Sequence, residues 1–401
     1  MNGGGLRVPL RALLRVLAGI TGGLAALSDA HLLVLLLAAR SGLRRVSPTL
    51  RGPLGLAVLI PAHDEETQIM DAIVSVRAGS YAPQDLRVVV IADNCTDATA
   101  DVARRAGAEV WERIDPERRG KGYALEWAFR RLLQDETIDA ACIVDADCEI
   151  SRDLLRSLAG HLQSGAEAVQ ARYVVSSPEA STASALRWAG FALFNVVRTA
   201  GRDRLRLSSG LLGTGMAFSA NLLRRSPWRS FSYAEDREQH MRWVLDGVRV
   251  AFAADAEVRS RVVSSAGASA DQEARWESGR LDLARRLTPK LLARWRAAGE
   301  LRALDAALEP LLPPQSLLLA AHVIALAAAG GSGSPALRRL AATATLAQVA
   351  YVIGGLATVD APPSVWRALA RVPWFVSRRL TVLARSAGGH GPREWRRTVR
   401  D

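Results

Sequence analysis

The sequence feature that most constrains the fold lies at residues 140–150, where two carboxylates follow a buried strand. Residues 140–144 are apolar and partly β-branched, which predicts a strand of a parallel sheet. Asp145 and Asp147 come next and, by strand alternation, point to the same side. In open α/β sheets this carboxyl edge borders the ligand crevice. Two oxygen donors without His or Cys at ligand spacing predict a Mg²⁺ or Mn²⁺ site. Alternatively, the two acids polarise the loop and cap the helix that begins near Ser151.

The same pattern recurs along residues 57–163, where apolar strands alternate with amphipathic helices. This order predicts a doubly wound, mostly parallel α/β sheet. The predicted strands are 57–60, 87–92, 108–112 and 140–144, and the helices between them are 67–78, 97–106 and 123–133, with another ending near 163. Carboxylates stand at three of the strand ends, in residues 64–66, at Asp93 and at the Asp145/Asp147 pair. Their recurrence predicts a functional crevice at one edge of the sheet.

The pattern changes in the second half of the soluble region. It predicts a strand at 168–175, a helix at 181–199, a glycine-broken strand at 211–218, a helix that opens within residues 233–236 and ends near Leu245, and strands at 248–253 and 258–263. An arginine-rich helical stretch then begins at Gln272.

The net charge indicates which partners the protein could bind, and the cysteine count indicates its redox compartment. The chain has 401 residues and a formal charge of +12, and Lys121 and Lys290 are its only lysines among 52 basic residues. No basic stripe interleaved with aromatics, helix-turn-helix or zinc spacing is visible, so nucleic acid is not an expected partner. An anionic membrane face or a phosphorylated substrate fits the charge. Three scattered cysteines fit a reducing cytoplasm rather than a disulfide framework.

Strongly apolar segments flank the soluble region and predict membrane spans. Residues 17–39 are long enough for one span, or alternatively form an amphipathic surface helix. Residues 311–329 and 340–357 predict a hairpin around a turn at 330–335, and 366–400 an interfacial helix. The arginines at positions 40, 44, 45 and 51 mark a cytoplasmic end, although Arg338 and Arg339 oppose this rule on the hairpin. We therefore expect a membrane segment at 1–51, a cytoplasmic catalytic domain at 52–290 and a membrane hairpin with an amphipathic tail at 291–401.

Six short motifs carry the chemistry, in this order: Pro61 to Glu66, Asp93, Asp145-Ala146-Asp147, Gly213-Thr214-Gly215, Glu235-Asp236, and Gln272-x-x-Arg275-Trp276. Together they resemble the family 2 glycosyltransferases, in particular the membrane-bound branch of cellulose, hyaluronan and chitin-oligosaccharide synthases. The resemblance covers residues 57–286 and implies a GT-A-like fold, a nucleotide-sugar donor and a divalent cation.

On the donor side, the resemblance implies a nucleotide-contacting role for eight residues. The base would lie against Pro61, Ala62, His63, Glu65 and Asp93. Asp93 would accept from the uracil N–H, or would otherwise be a turn-forming residue. Asp145 would reach the ribose or the metal, and Asp147 would be the metal ligand that bridges the phosphates. Lys121 and Arg275 would lie near the diphosphate, unless Lys121 is a solvated turn residue.

On the acceptor side, the resemblance implies that Asp236 is the general base, which an inverting transfer needs within reach of the attacking hydroxyl. The alternative for Asp236 is helix N-capping. Glu235, Gln272, Trp276 and the glycine loop Gly213, Thr214 and Gly215 would contact the acceptor, and Trp276 would stack on a sugar. The alternatives are a plain β-bulge for the loop and a membrane-surface helix for the segment that contains Trp276.

These observations predict a multi-pass plasma-membrane inverting glycosyltransferase of hexosyl or N-acetylhexosaminyl type. It would use a UDP-sugar, or second a GDP-sugar, and a saccharide or lipid-linked acceptor. One alternative is a processive polysaccharide synthase that needs an oligomer or export partner. A second is a nucleotidyltransferase, but its glycine-rich basic loop is missing after Ile60. A third is a catalytically silent membrane scaffold, which would predict loss of Asp147 or Asp236, and both are present. The sequence leaves open the donor sugar, the acceptor, the linkage, the oligomeric state and the exact number of spans.

Overall fold

The computed structural model describes residues 10–260, 277–369 and 371. Within them, eight strands form one sheet in the order β3-β2-β1-β4-β7-β6-β8-β5. The strands are β1 Leu56–Ala62, β2 Leu86–Asp93, β3 Glu109–Arg113, β4 Ala140–Ile143, β5 Cys148–Ile150, β6 Ala168–Val175, β7 Met216–Ser219 and β8 Val250–Ser260. The first four strands are mutually parallel, as is the β6–β8 pair, whereas β7 runs antiparallel between β4 and β6.

Helices cover both faces of this sheet and continue beyond it. They are α1 Leu10–Gly42, α2 Ile69–Arg77, α3 Thr99–Arg105, α4 Lys121–Leu132, α5 Leu154–Gln163, α6 Thr182–Phe191, α7 Thr199–Arg204, α8 Ala220–Arg225, α9 Glu235–Leu245, α10 at 277–286, α11 Thr288–Ala298, α12 Leu301–Leu308, α13 Gln315–Gly331, α14 Pro335–Thr358 and α15 Pro363–Leu369. A π-helical segment, Ala192–Arg198, joins α6 to α7.

Alternation along the strands places a hydrophobic core on each face of the sheet. In β1, Val58 and Ile60 pack on one face with residues of α2 and α5. Ala57 and Leu59 pack on the other face with residues of α4. A sheet buried on both faces by helices confirms the predicted doubly wound, mostly parallel α/β fold.

The strand register sets the functional edge. Ala62, at the end of β1, pairs with Ala92 on β2, and Asp93 pairs with Arg113 on β3. Because β4 runs parallel to β1 and ends at Ile143, the loop that carries Asp145 and Asp147 emerges from the same edge. The carboxylates that follow separate strands in the sequence therefore lie at the same edge of the sheet, where these parallel strands end.

Two predicted elements were wrong. Residues 211–215 are not strand, because Gly213 and Gly215 adopt φ angles of +87° and +64° that an extended strand does not allow. The two strands predicted at 248–253 and 258–263 are one strand, β8, up to Ser260, and residues 261–263 lie outside the described part of the chain. Partner strand β6 stays paired with β8 through a bulge between Ala171 and Arg172, so the intervening residues remain in the sheet.

The apolar segments form helices that pack beside the sheet and its helices. By length and composition, α1 and α14 are able to cross a bilayer, and α13 is apolar but shorter. Apolar side chains on α1, such as Ile20, Leu27 and Leu37, are exposed. A β-carbon at Gly201 of α7 would lie 2.3 Å from the Leu35 carbonyl oxygen, so α1 and α7 are in backbone contact. The predicted hairpin is present as two helices, whereas residues 372–401, most of the predicted interfacial tail, lie outside the described residues.

Candidate active site

The loops after β1 and β2 lie next to each other at the carboxyl edge of the sheet and are linked by side-chain hydrogen bonds. Asp64, held at a φ of +54°, accepts from the backbone N–H of Thr96 and of Asp97. In return, Asp97 accepts from the Glu66 N–H at 3.1 Å, and the Glu65 N–H donates to Thr99 Oγ1 at 2.7 Å. Asp64, Cys95 and Asp97 form one of the clusters of acidic and cysteine side chains found among the described residues, and this network indicates that their role is to hold the two loops together.

Asp93 is the last residue of β2, where the second of these loops begins. His63 Nδ1 is 2.7 Å from the Asp93 carbonyl oxygen, which brings the first and second strand ends together as the sequence predicts. Burial raises the pKa of the Asp93 carboxyl, and the guanidinium of Arg113 opposes this rise. Arg113 was not anticipated as a site residue. Arg113 pairs with Asp93 in the register between β2 and β3, but that register cannot be read from a single sequence.

Lys121, at the start of α4, connects the Asp145 loop to the glycine loop. Its ammonium donates to Asp145 Oδ1 and, at 2.7 Å, to the Gly213 carbonyl oxygen. The Asp145 N–H in turn donates to Thr214 Oγ1 at 3.1 Å. Although burial alone would lower it, the carboxylates of Asp145 and Glu235 raise the pKa of Lys121, so this side chain stays cationic. The alternative of a solvated turn lysine therefore does not describe its surroundings.

Asp145 and Asp147 provide the donor set that a hard divalent cation requires. One ligand atom from each of Asp145, Asp147 and Cys148 lies within 4.8 Å of the others. The thiol of Cys148 is a soft donor, which hard cations do not favour, whereas the two carboxylates supply hard oxygen donors. Two carboxylates fit Mg²⁺ or Mn²⁺ better than Zn²⁺.

Glu235 and Asp236 begin α9 close to the glycine loop. Ala234 is the N-cap residue, and Asp236 Oδ1 accepts the N–H of Arg237 at 2.7 Å. A β-carbon at Gly213 would lie 3.5 Å from Asp236 Oδ2 and 3.7 Å from Lys121 Nζ, so both charged groups border this glycine. Asp236 is thus not the N-cap residue, although one of its oxygens accepts a first-turn N–H.

Burial shifts the titration of this acidic pair. It raises the pKa of Glu235 to about 8, with the neighbouring Asp236 charge adding to the effect. It also raises the pKa of Asp236, against the opposing influence of Arg237 and Lys121. A carboxylate whose pKa lies above its usual range is a stronger base once ionised.

The other predicted residues fall into two groups. Pro61 and Ala62 end β1 beside His63, and Glu65 belongs to the braced loop. A side chain at Gly215 would be strained, since the residue has a φ of +64° and a β-carbon there would lie 2.7 Å from Val258 Cγ2. Gln272, Arg275 and Trp276 lie outside the described residues, so their roles stay predictions.

Comparison with known proteins gives the family. The family described as glycosyltransferase like family 2 matches residues 53–279, more than half of the chain. The chain belongs to glycosyltransferase family 2. This confirms the family predicted from the motifs, while membership of its membrane-bound branch remains a prediction.

Two individual proteins resemble this transferase. The low-salt glycan biosynthesis hexosyltransferase of Haloferax volcanii is 36% identical over 110 residues, which span 27% of this chain and 25% of that protein. The mannosyltransferase of Pyrobaculum calidifontis, solved with GDP-Man and Mn²⁺, is 22% identical and superposes with a TM-score of 0.55. That likeness covers 85% of this chain and 98% of the mannosyltransferase, and it supports the GT-A fold.

Proposed function

We propose that this family 2 glycosyltransferase is a metal-dependent inverting enzyme that moves a sugar from a UDP-sugar, or second a GDP-sugar, to a saccharide or lipid-linked acceptor. The observation that carries the proposal is the meeting of opposite charges at Gly213. The Lys121 ammonium, bonded to Asp145, and the Asp236 carboxylate border the same glycine. Glycosyl transfer requires a cation near the diphosphate, to stabilise the leaving group, and a base near the acceptor hydroxyl, to accept its proton.

In the proposed reaction, an acceptor hydroxyl oxygen bonds to the anomeric carbon of the donor sugar. The bond from that carbon to the diphosphate oxygen breaks, and the hydroxyl proton passes to Asp236. Lys121 then lies where negative charge grows on the departing nucleoside diphosphate. Asp147, with Asp145, would hold the divalent cation, which neutralises charge on that leaving group.

The remaining roles follow the family resemblance. Pro61, Ala62, His63, Glu65 and Asp93 would hold the base, and Thr214 and Gly215 would shape the acceptor side with Glu235. Gln272 and Trp276 would hold the acceptor sugar, and Arg275 the diphosphate. The name of the Haloferax relative, a hexosyltransferase, supports a hexosyl group as the transferred sugar.

A donor panel tests the proposal. We expect the purified protein with Mn²⁺ to hydrolyse one nucleotide sugar well above the others and to transfer its sugar to an added acceptor. The panel would contain UDP-glucose, UDP-N-acetylglucosamine and GDP-mannose. A silent scaffold would release no nucleoside diphosphate from any donor. A nucleotidyltransferase would instead form a nucleotide sugar from a nucleoside triphosphate and a sugar phosphate.

Removal of the Lys121 charge should slow transfer. We expect Lys121→Met to lower kcat/KM by about 100-fold, near the effect of losing one charge-assisted hydrogen bond in the transition state. Lys121→Arg should recover part of the loss. Lys290→Met is a matched control, because Lys290 is the other lysine and is exposed on α11. Equal activity of Lys121→Met and wild type would remove Lys121 from the mechanism.

We further propose that α1, α13 and α14 anchor the enzyme in the plasma membrane with the catalytic domain in the cytoplasm. The exposed apolar side chains of α1 and the arginines that follow it support this orientation. In a Cys95→Ser background, a cysteine at Ser334, between α13 and α14, should react with an impermeant maleimide on intact cells. A cysteine at the exposed Glu117 of the catalytic domain should react only after lysis. The reverse pattern would invert the proposed orientation.

The product should be short. Asp29 of α1 lies 3.2 Å from His322 of α13, and His31 of α1 lies 3.4 Å from Asp305 of α12, so the polar side chains on α1 and α13 face charged partners instead of lining a channel. A polysaccharide in hydrocarbon would need such groups as a lining. We therefore expect one or a few sugars per acceptor, measured by sizing the product made with labelled donor. Long polymer delivered into vesicles by the purified protein would favour the processive alternative.

A further inference from the structure

Two arginines lie against one aromatic ring beside the proposed general base. Cζ of Arg198 is 4.8 Å from the centroid of the Phe194 ring, and Cζ of Arg237 is 5.0 Å from the same centroid. The two guanidinium carbons are therefore at most 9.8 Å apart. Phe194 and Arg198 belong to the π-helical segment Ala192–Arg198, whereas Arg237 follows Asp236 on α9. The π-helical segment and the helix of the base thus bring two like charges together.

Neither of these arginines forms an ion pair with a carboxylate in the described part of the chain. Two acids lie in the same region, but both pair with a third arginine. Arg202 Nε lies 2.8 Å from Asp305 Oδ2, and its Nη1 lies 3.2 Å from Glu309 Oε2. Against the effect of burial, Arg202 and then Arg237 and Arg198 lower the pKa of Glu309 to about 2, so this acid is ionised. Three arginines therefore share two carboxylates.

The proposed base does not neutralise the Arg237 guanidinium either. Asp236 Oδ1 accepts the backbone N–H of Arg237 at 2.7 Å, and Oδ2 borders Gly213, where the Lys121 ammonium also lies. Burial raises the pKa of Asp236, and the Arg237 charge opposes this rise. An anion bound to the Arg237 guanidinium would therefore lie close to the base without taking its place.

Arg198 is almost completely buried, yet its hydrogen bonds are long. The residue is 4% exposed, its Nε lies 3.4 Å from Tyr351 Oη, and its Nη2 lies 3.4 Å from Gln315 Oε1. Both acceptors are neutral, and the buried Nε2 of Gln315 has no hydrogen-bond partner among the described residues. A buried cation without a counter-ion is costly, and stacking on Phe194 offsets only part of that cost. An anion here would supply the missing acceptor.

The arginine pair lies where the catalytic domain meets the apolar helices. Gln315 is the first residue of α13, and Tyr351 belongs to α14. The positive end of a helix dipole favours an anion near the start of α13. Phe194, Arg237 and Gln315 are partly exposed, so a ligand can reach the pair from the surface. This position suits the charged head of an acceptor whose remainder lies along the apolar helices or in solvent.

We infer that Arg198 and Arg237 form a phosphate site on the acceptor side, so that the acceptor carries a phosphate or diphosphate close to the hydroxyl that Asp236 activates. The inference rests on the proposed function, because Asp236 would act on this same acceptor. Planar guanidinium groups bind phosphate oxygens through paired N–H donors, and two of them can hold one phosphate between them. The site is separate from the donor diphosphate site that we propose at Lys121 and Asp147. A lipid carrier and a soluble sugar phosphate both offer this chemistry.

Binding of phosphate probes with the donor site filled tests the inference without turnover. The full-length protein in nonionic detergent is saturated with Mn²⁺ and UDP and then titrated calorimetrically with decyl phosphate, glucose 1-phosphate or decanol. We expect a phosphate to bind and decanol not to bind. Arg237→Gln and Arg198→Gln should each weaken phosphate binding by about tenfold or more, because each removes charge-assisted hydrogen bonds. Arg204→Gln is the matched control and should bind like wild type, since Arg204 is exposed on α7 and bonds to Ser41.

The two phosphate probes separate the possible sources of the group. Tighter binding of decyl phosphate, by about tenfold, would assign the phosphate to a lipid carrier. The opposite order would assign it to a soluble sugar phosphate. Either order supports the site, provided that binding depends on both arginines.

Other results would overturn the inference. Wild-type protein that binds neither phosphate would exclude the site, and no variant is needed for that comparison. Unchanged phosphate affinity in Arg237→Gln would exclude it as well, and this variant keeps the test decisive if Arg198→Gln does not fold. A merely structural role predicts a lower melting temperature in the variants with phosphate affinity intact. Arg237→Lys keeps the charge without the planar fork and should recover only part of the affinity.

The outcome is separable from that of the proposed function. Decyl phosphate binding that depends on both arginines, in a protein that transfers no sugar, would support the site and reject the proposed function. Transfer to a phosphate-free saccharide with the same KM in wild type and in both variants would leave the glycosyltransferase activity standing and reject the phosphate site.

Discussion

Asp147→Asn is expected to abolish the response to divalent cations and to lower turnover by about 10³-fold. Lewis-acid stabilisation of a leaving group contributes several kcal/mol, and about 1.4 kcal/mol corresponds to a tenfold change in rate. Asp145 Oδ1 already accepts a hydrogen bond from the Lys121 ammonium. We therefore propose Asp147 as the main carboxylate ligand of the divalent cation. Asparagine keeps the shape of the side chain and removes the charge that binds the cation.

The measurement is a Mn²⁺ titration of donor hydrolysis, together with calorimetry of Mn²⁺ in the presence of UDP. Asp153→Asn serves as the control, because Asp153 is an exposed acid in the same stretch and bonds to Ser80. We expect this control to keep the wild-type Mn²⁺ response. Full wild-type activity in excess chelator would contradict the metal assignment, whatever the variant does.

Much of the sheet could be predicted, because local patterns determine its strands. The apolar runs near β1, β2 and β4 are short, β-branched and followed by carboxylates, and each forms a strand within one or two residues of its predicted ends. The helix α9 was likewise predicted to open within residues 233–236 and to end near Leu245, and it spans Glu235–Leu245.

The errors arise where pairing with a distant strand decides the structure. Residues 211–215 are apolar enough for a strand, but positive φ angles at two glycines turn them into the loop that borders Lys121 and Asp236. Strand β8 stays continuous because it pairs with β6 across a bulge, a contact between segments about 80 residues apart whose register local sequence cannot reveal.

In the candidate site, too, local sequence predicts some features and tertiary structure determines the others. The sequence identifies Asp93, Lys121 and Asp236 by residue type and position. It does not identify their partners: Arg113 faces Asp93 through strand register, and Gly213 meets Lys121 through a loop 92 residues away. Likewise, Asp29 stands out in an apolar helix, but its pairing with His322 depends on how three helices pack. Residue types are local information, whereas their hydrogen-bond partners depend on tertiary structure.

Asp236→Asn is expected to slow transfer by roughly 10²–10⁴-fold, the usual contribution of a general base, while UDP affinity stays unchanged. The amide cannot take a proton from the acceptor hydroxyl. It can still accept the Arg237 N–H through its oxygen, so the start of α9 should remain intact. Asp246→Asn, at the other end of α9, is the matched control, because Asp246 is exposed and bonds to Ser226.

The pH dependence distinguishes a base from a structural acid. Burial raises the pKa of Asp236, and the base must be ionised to act. The kcat of the wild type should therefore fall as pH drops through that raised pKa, at a higher pH than for an ordinary aspartate. The residual rate of Asp236→Asn should lack this acidic limb. If the variant kept the limb, or lost UDP affinity in proportion to its rate, Asp236 would be a structural residue at the start of α9, and another group would have to accept the proton.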